Sequence, residues 1–332
     1  MKQTAIIILN WNGERLLPEF LPQVLANTDT TLADIIVADN GSTDSSLRLL
    51  EKKFPEVRVL PLGENFGFAE GYNRAIQLAG DYRYVVLLNS DVAPAAGWNR
   101  ILEQFMDSHA DVAAVQPKIL SYKEKNKFEY AGAAGGYIDR HGYPYCRGRI
   151  FSVVETDRGQ YDTPAEIFWA SGAALMVRRR LYLDAGGLDP QFFAHMEEID
   201  LCWRLQLAGY RIMAVPEAGV YHLGGASLDY TDPRKTYLNF RNSLLMMHKN
   251  LPRSVRRRKL IVRRLLDTLA WGKFMVSMDF SNASAIIRAH RDYARMSRSY
   301  NTSPATDLLA RQPVDIVSAH YLHRKKTFKE LR

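Results

Sequence analysis

Cysteine is scarce in this chain of 332 residues, which holds only Cys146 and Cys202. Two cysteines are too few for the disulfide framework of a small secreted protein, and both can pack as small apolar side chains. The cysteine content therefore favours a reducing compartment, and we expect a cytoplasmic protein.

Long apolar runs are also lacking. No window of about 18 uncharged apolar residues occurs, so the sequence predicts no membrane-spanning helix. The apolar run Ala5–Leu9 near the N-terminus is too short for the core of a signal peptide, and we expect no secretory leader.

Two classes of ligand are disfavoured by what is missing. No Gly-x-Gly-x-x-Gly follows the first predicted strand, which argues against a dinucleotide cofactor. The net charge is +8, with +12 in residues 251–332 and −4 in residues 1–250. The basic region lacks interleaved aromatic platforms and the remainder is acidic, so we expect no nucleic-acid partner.

The patterns that are present indicate an α/β fold. Hydrophobic residues make up 47% of the chain, enough for a large core. Up to about residue 120, strands alternate with helices, which is typical of a mostly parallel central sheet flanked by helices. The predicted strands are Thr4–Leu9, Ile35–Ala38, Val57–Leu60, Tyr84–Leu88 and Ala113–Val115, and the predicted helices lie near 14–26, 44–54, 67–79 and 97–107.

Later regions differ in character. Residues 118–165 have no clean period and predict a long loop or hairpin excursion. A helix over Glu197–Ala208 and a strand over Arg211–Val215 follow, and a helical pattern begins at Asp232. We predict a main α/β domain over residues 1–230, a helical basic C-terminal region over 231–300 and a polar basic tail, expected to be disordered, over 301–332.

Polar residues stand where strands end. Asn10 lies in a turn whose backbone N–H groups can meet a phosphate or nucleoside, although an ordinary turn explains it as simply. Asp39 closes the second strand, where a carboxylate binds a ribose or base N–H or caps a turn. In the segment Asn65–Asn73, Gly67 permits close approach of a nucleotide or of a packed helix, and the two terminal asparagines read a base edge or pin the loop.

Two acidic segments can carry chemistry. Asn89-Ser90-Asp91 follows an apolar strand, where one carboxylate and a diphosphate can share Mg²⁺ or Mn²⁺. His222 is a plausible further ligand or a structural hydrogen-bonding group. Glu197-Glu198-Ile199-Asp200 opens a helix, where mutual repulsion and the helix N-terminus can tune a base. Asp200 also fits a structural pair with Arg204 at i, i+4.

Together these segments resemble the family 2 glycosyltransferases, inverting enzymes with the A-type nucleotide-sugar fold. The resemblance extends over roughly residues 4–225, with order and spacing intact. The resembling stretches are Ile6–Gly13, Val37–Ser45, Asn65–Asn73, Val85–Asp91, Ser171–Arg178 and Gly186–His222. The last of these is most similar to bacterial rhamnosyltransferase-type members that build surface polysaccharide.

The resemblance implies a role for each matching residue. Glu198 would be the catalytic base, and Asp91 and His222 would hold Mn²⁺ or Mg²⁺ at the diphosphate. The residues implied in binding the donor or the acceptor are Asn10, Asp39, Asn65, Gly67, Asn73, Asn89, Trp169, Ser171, Gly172 and Glu197. Two positions depart from the family: Asn89 replaces an acidic residue, and Glu198 replaces an aspartate, so the choice of base between Glu197 and Glu198 stays open.

The predicted function is therefore inverting transfer of a sugar from a UDP- or dTDP-linked donor to a hydroxyl of a glycan or lipid-linked acceptor, in cell-surface polysaccharide synthesis. Residues 1–230 would bind the nucleotide sugar and catalyse transfer. The two departures leave an alternative, a non-catalytic nucleotide-sugar-binding or scaffold subunit.

The C-terminal region adds a candidate membrane surface. Arg253–Lys259 is strongly basic, and Ile261, Leu265 and Leu269 form an apolar stripe at helical spacing. Such a helix can lie at the inner face of an anionic membrane, or its stripe can pack against the protein's own core. The sequence predicts neither one over the other, and it predicts no oligomeric state.

Overall fold

The computed structural model describes residues 2–224 and 232–331. Within them the strands are β1 (Thr4–Asn10), β2 (Ala33–Asp39), β3 (Arg58–Pro61), β4 (Tyr84–Leu88), β5 (Val92–Pro94), β6 (Val112–Ser121), β7 (Gly136–Ile138), β8 (Pro144–Cys146), β9 (Arg149–Ile150), β10 (Val153–Val154), β11 (Ala165–Ile167), β12 (Ala174–Arg178) and β13 (Arg211–His222). The helices are α1 (Leu17–Asn27), α2 (Ser46–Lys53), α3 (Gly67–Ala79), α4 (Trp98–Ser108), α5 (Arg179–Asp184), α6 (Glu197–Leu207), α7 (Pro233–Asn250), α8 (Arg253–Val276), α9 (Phe280–Met296) and α10 (Ile316–Tyr321).

The central sheet has the strand order β11-β13-β6-β12-β4-β1-β2-β3, with β5 paired to β13. The four strands β4, β1, β2 and β3 are parallel. Strand β12 runs antiparallel between β4 and β6, while β13 is parallel to β6. The sheet is therefore mixed, and its parallel half carries the strand ends on which the predicted site depends.

Burial on both faces explains the composition of the central strands. In β1, Ile6 and Ile8 pack into one core cluster and Ile7 into another. The first cluster contains residues of α1 and α4, and the second contains residues of α3 and α6. Strands covered on both faces read as continuous apolar runs, and the α/β fold with a central sheet flanked by helices is confirmed.

The excursion over residues 118–165 contains a second, four-stranded sheet with the order β10-β9-β8-β7. All of its pairings are antiparallel, as expected for successive hairpins. It joins the central sheet near Trp169, which forms an isolated bridge with Gly136. The hairpin interpretation of this region was right, although the lack of a clean period concealed the individual strands.

The C-terminal part is helical, as predicted, and α7, α8 and α9 pack against one another. A buried ion pair between Arg263 and Asp267 lies within this group. The predicted domain boundary at residue 230 falls outside the described residues, so the division into domains stays a prediction. No helix in the described part of the chain is both long and apolar enough to span a membrane.

Residues 301–331 have short helices where the sequence predicts disorder. Phe328 is buried and its ring contacts Tyr137, Tyr145 and Tyr161. The backbone N–H of Ile316 donates to Asp139 Oδ2 at 3.1 Å. A few apolar side chains therefore hold a polar segment against the hairpin sheet, a contact that composition alone does not reveal.

Candidate active site

The carboxyl ends of β1 and β2 bring Asn10 and Asp39 together. These residues are opposite one another in the parallel register, and Asn10 Nδ2 donates to Asp39 Oδ1 at 3.0 Å. Ser42 completes the group: its Oγ accepts from Asn10 Nδ2 at 3.0 Å, and its backbone N–H donates to Asp39 Oδ2 at 3.1 Å. Asn10 Oδ1 is buried without a hydrogen-bond partner among the described residues. Ser42 therefore belongs to this cluster, while Ser45 is the residue at the N-cap of α2.

The loop before α3 is tied to the same strand end. Asn40 Nδ2 donates to Asn65 Oδ1 at 3.2 Å and to the Gly67 carbonyl at 3.0 Å. Gly67 has a φ of +75°, and a Cβ there would lie 2.9 Å from the ring of Phe193. Glycine is needed at this position for both reasons.

Asn73 has the second of its two predicted roles, because its side chain pins a loop. Its Oδ1 accepts from the Tyr182 hydroxyl at 2.6 Å and from the backbone N–H of Leu188 at 2.9 Å. Its Nδ2 donates to the Leu188 carbonyl at 2.8 Å. These bonds fix the turn that leads towards α6 and occupy the amide within the protein.

A buried charged cluster lies beyond β4. Strand β13 pairs with β5 so that His222 is opposite Val92, which brings His222 Nε2 within 3.1 Å of Asp91 Oδ1. Glu129 Oε2 lies 3.6 Å from His222 Nδ1, and Asn89 Nδ2 lies 3.4 Å from Nε2. Strand pairing thus unites residues that are far apart in the sequence.

The neighbouring charges in this cluster shift the pKa values of Asp91 and His222. Burial disfavours the charge of Asp91, but the hydrogen bond and positive charge of His222 outweigh burial and lower the pKa of Asp91. Burial alone would lower the pKa of His222, whereas contacts with Asp91 and Glu129 raise it to about 10. The two acidic neighbours thus favour the protonated form of the His222 imidazole.

The donor set also suits a divalent cation. A carboxylate oxygen and an imidazole nitrogen are both ligands that Mn²⁺ accepts. Among residues 2–224 and 232–331, no group of three or more His, Cys, Asp or Glu side chains has the arrangement of a metal site. Asp91 and His222 would therefore need phosphate oxygens or water to complete a coordination sphere.

Trp169 and Ser171 are buried and bonded within the protein. The Trp169 indole N–H donates to the Tyr137 carbonyl at 2.8 Å, and Ser171 Oγ donates to the Ala131 carbonyl at 2.7 Å. Gly172 lies just before β12, at the end of that strand that pairs with the carboxyl end of β4. A Cβ at Gly172 would lie 3.3 Å from the Phe68 ring and 3.8 Å from Glu198 Cβ. The lack of a side chain at Gly172 thus lets this end of the sheet pack closely against α6.

The first turn of α6 carries Glu197 and Glu198. The Oε2 atoms of both are buried, and neither has a hydrogen-bond partner in the part of the chain that the structure describes. Burial, with repulsion from Glu198, raises the pKa of Glu197 well above its usual range. Burial raises the pKa of Glu198 to about 7. Burial therefore favours the neutral form of both carboxyls, most strongly that of the more deeply buried Glu197.

Asp200, the third acidic residue of this turn, has the predicted structural role. Arg204 Nε donates to its Oδ2 at 2.8 Å, as the i, i+4 spacing indicates. Lys249 and Asn250 of α7 also donate to it, at 2.9 and 2.7 Å. These bonds join α6 to the C-terminal helices.

Sequence reasoning missed Glu129 and Asn40. Glu129 lies in the excursion without a clean period, where no pattern singles out an acidic residue. Asn40 directly follows Asp39 in the segment Asp39-Asn40-Gly41-Ser42. Its position beside a strand end is the sequence signal that could have identified it.

Comparison with known proteins places these features in a family. The model of the family described as "Glycosyl transferase family 2" matches residues 5–183. An N-acetylglucosaminyl-diphospho-decaprenol L-rhamnosyltransferase of Mycobacterium tuberculosis is 31% identical, over 65% of this chain and 75% of the relative. The rhamnosyltransferase WbbL of Escherichia coli is 39% identical, over 65% of this chain and 82% of the relative.

Solved structures show the same fold at low identity. Staphylococcus aureus TarS 1-349 in complex with UDP-GlcNAc matches with a TM-score of 0.58 and 16% identity, covering 88% of this chain and 80% of that one. GalNAc-T7 with UDP, GalNAc and Mn²⁺ matches with a TM-score of 0.56 and 16% identity, covering 75% of this chain and 48% of that one. Both chains share the A-type glycosyltransferase fold with this protein.

Proposed function

Because the chain belongs to glycosyltransferase family 2 and is rhamnosyltransferase-like, we propose that it transfers a sugar, L-rhamnose foremost, from a nucleoside-diphosphate donor to a hydroxyl of a lipid-linked glycan. Sugar transfer in glycan synthesis follows from the family. The donor, the acceptor and the stereochemical course are the proposal, with UDP and dTDP as the nucleotides considered.

The observation that carries the proposal is Glu198, a half-buried residue whose Oε2 is buried without a described partner and whose pKa is raised to about 7. Such a carboxylate can accept the proton of an acceptor hydroxyl near neutral pH. The hydroxyl oxygen then bonds to the anomeric carbon as the bond to the diphosphate oxygen breaks on the opposite face. One displacement inverts the configuration, the proton stays on Glu198 and the nucleoside diphosphate leaves with its electron pair.

The nucleoside would lie at the carboxyl ends of β1 and β2. The Asp39 carboxylate can accept hydrogen bonds from a ribose or a base N–H, and the neighbouring Asn10 Oδ1 is a buried acceptor without a partner among the described residues. Asn65 and Gly67 would border this pocket, because Asn40 ties their loop to the strand end.

Asp91 and His222 would hold Mn²⁺ or Mg²⁺, with Glu129 behind the imidazole as the partner that orients it. When bound, the cation neutralises negative charge on the diphosphate leaving group. Asn89 has no charge to add, so we infer that the donor diphosphate supplies the remaining ligands.

The acceptor class is supported by the surface of α8. Ile261, Leu265 and Leu269 are 49%, 64% and 67% exposed, so their stripe does not pack against the protein core. Arg257 and Arg258 are also exposed near its start. An exposed apolar stripe with a basic margin suits an anionic membrane surface, where a lipid-linked acceptor is found. We propose peripheral attachment at the inner face of the membrane.

A donor panel tests the proposed function. UDP-, dTDP- and GDP-sugars would be incubated with the protein and Mn²⁺ or Mg²⁺, with and without a lipid-diphosphate glycan acceptor, and release of nucleotide would be measured. An enzyme should release nucleotide from one donor and do so faster with acceptor. A non-catalytic scaffold subunit should bind a donor, as detected by thermal shift, and release none.

A further inference from the structure

The segment that leads into the first turn of α6 has an unusual backbone. Phe193, His195 and Met196 have φ angles of 65°, 68° and 74°, in the region that favours glycine. Side chains with a Cβ adopt these angles at a cost of about 1 kcal/mol or more each, so surrounding contacts must hold them. Because Met196 directly precedes Glu197, the path of this segment sets the direction in which α6 begins.

The contacts that hold the segment come from α7. Asn242 Nδ2 donates to the carbonyls of Phe192, Ala194 and His195 at 2.9, 2.8 and 2.8 Å. An amide has two N–H bonds for these three acceptors, so at least one N–H is shared. Asn242 is fully buried, and one side chain thus satisfies most of the carbonyls of the turn.

Arg241 fixes the orientation of that amide. Its Nε donates to Asn242 Oδ1 at 2.8 Å, which requires the oxygen on this side and directs the N–H bonds to the carbonyls. Its Nη2 donates to the Phe192 carbonyl at 3.0 Å and the Gln191 carbonyl at 3.2 Å. Two successive residues of α7 therefore bind four carbonyls over residues 191–195.

The same segment contacts the donor side of the site. The Phe193 carbonyl accepts from the backbone N–H of Phe68 at 3.2 Å, and the Phe193 ring lies against Gly67. Phe68 in turn packs at Gly172, beside Glu198. The segment thus links α7, the loop before α3 and the carboxyl proposed as base.

We propose that Asn242, oriented by Arg241, is a positioning residue that holds Glu198 in the geometry required for sugar transfer. This inference rests on the proposed function, with Glu198 as the base. Asn242 acts through the backbone of residues 192–196 and touches no reacting atom. Loss of its donors releases the strained turn, and the base then moves relative to the donor loop.

The test is Asn242→Asp, which keeps the shape of the side chain and removes both N–H donors. A displacement of about 1 Å in a reacting group can lower a rate about 100-fold, so we expect kcat for transfer to fall by about that factor. Asn242 has no contact with Asn10 or Asp39, and its segment reaches the donor loop only through Phe193. The donor Kd, measured by calorimetry, should therefore change much less than kcat, by about twofold at most.

Ser243→Ala is the matched control. Ser243 is the next residue of α7 and equally buried, but its Oγ accepts from Arg263 of α8 at 2.9 Å, away from the turn. It should lower the melting temperature and leave kcat unchanged. If Asn242→Asp proves too unstable to purify, Arg241→Lys decides: it keeps the charge, loses the two-carbonyl contact, and should lower kcat about 10-fold with unchanged donor Kd.

Wild-type kcat in the variant, or a loss of donor binding parallel to the loss of kcat, would overturn the inference. Equal effects of Asn242→Asp and Ser243→Ala on kcat would also overturn it. Failure of the proposed function is read separately, because the wild-type protein would then transfer no sugar from any donor.

Discussion

Asp200→Asn should destabilise the fold far more than an ordinary loss of surface charge. Asp200 is 0% exposed, and its two oxygens accept from Arg204, Lys249 and Asn250 at 2.7 to 2.9 Å. The substitution leaves two partly buried cations, Arg204 and Lys249, beside a neutral amide. Removing one partner of a buried ion pair costs about 3–5 kcal/mol.

The surroundings place the expected cost at the lower end of that range. Lys249 retains Asp189 Oδ2 at 2.8 Å. Arg204 retains the carbonyls of Ala185 and Gly187. We therefore expect a loss of about 3 kcal/mol in the free energy of unfolding, measured by urea denaturation at pH 7.

The difference should also depend on pH with a defined sign. Burial would raise the pKa of Asp200, but the charges of Arg204 and Lys249 and the hydrogen bonds lower it. The unfolded-state pKa of an aspartate is about 3.9. A lowered folded pKa gives stability that is fully present above the unfolded value and is lost as the pH falls through the folded value. The gap between wild type and Asp200→Asn should therefore shrink below about pH 4.

Asp184→Asn supplies the matched control. Asp184 pairs with Arg180 at the same i, i+4 spacing, but the two side chains are 54% and 85% exposed. This variant should keep the wild-type free energy of unfolding within error. The reasoning is refuted if Asp200→Asn is as stable as Asp184→Asn at pH 7, or if its deficit grows as the pH falls.

Two further predictions concern the metal and the membrane. Asp91→Ala should abolish Mn²⁺- or Mg²⁺-dependent transfer and leave the circular dichroism spectrum unchanged, with the exposed Asp81→Ala as control; a near-normal metal-dependent rate would remove Asp91 from the site. Full-length protein should float with anionic liposomes at low salt, and charge reversal of Arg256, Arg257 and Arg258 should reduce flotation. Absence of binding, or no effect of the reversal, would count against the membrane surface.

The sequence predicts the parallel half of the fold well because local signals there agree with tertiary demands. The strand Tyr84–Leu88 and the helix 67–79 have the same bounds in the structure. Both are bounded by strong turn signals; the strand is buried throughout, and the helix buries one face. The proximity of Asn10 and Asp39 can also be predicted, because parallel strands bring these two residues to one end of the sheet.

Contacts made by irregular or distant segments could not be predicted in the same way. Glu129 reaches His222 through an excursion without a clean period. Asn242 is one of many polar residues on a helix, and only the path of residues 192–196 reveals its use. The exposure of Leu265 and Leu269 could not be predicted either, since a helical period does not show whether the apolar face packs against the protein or faces outward.

The central claim, that Glu198 is the base for sugar transfer, is tested most directly by comparing Glu198→Gln with Glu197→Gln in one transfer assay. A glutamine cannot accept the proton at neutral pH, and loss of a general base typically lowers a rate about 10²–10⁴-fold. We predict that Glu198→Gln loses transfer by such a factor and keeps the donor Kd, while Glu197→Gln remains the more active variant. An active Glu198→Gln beside an inactive Glu197→Gln would contradict the account.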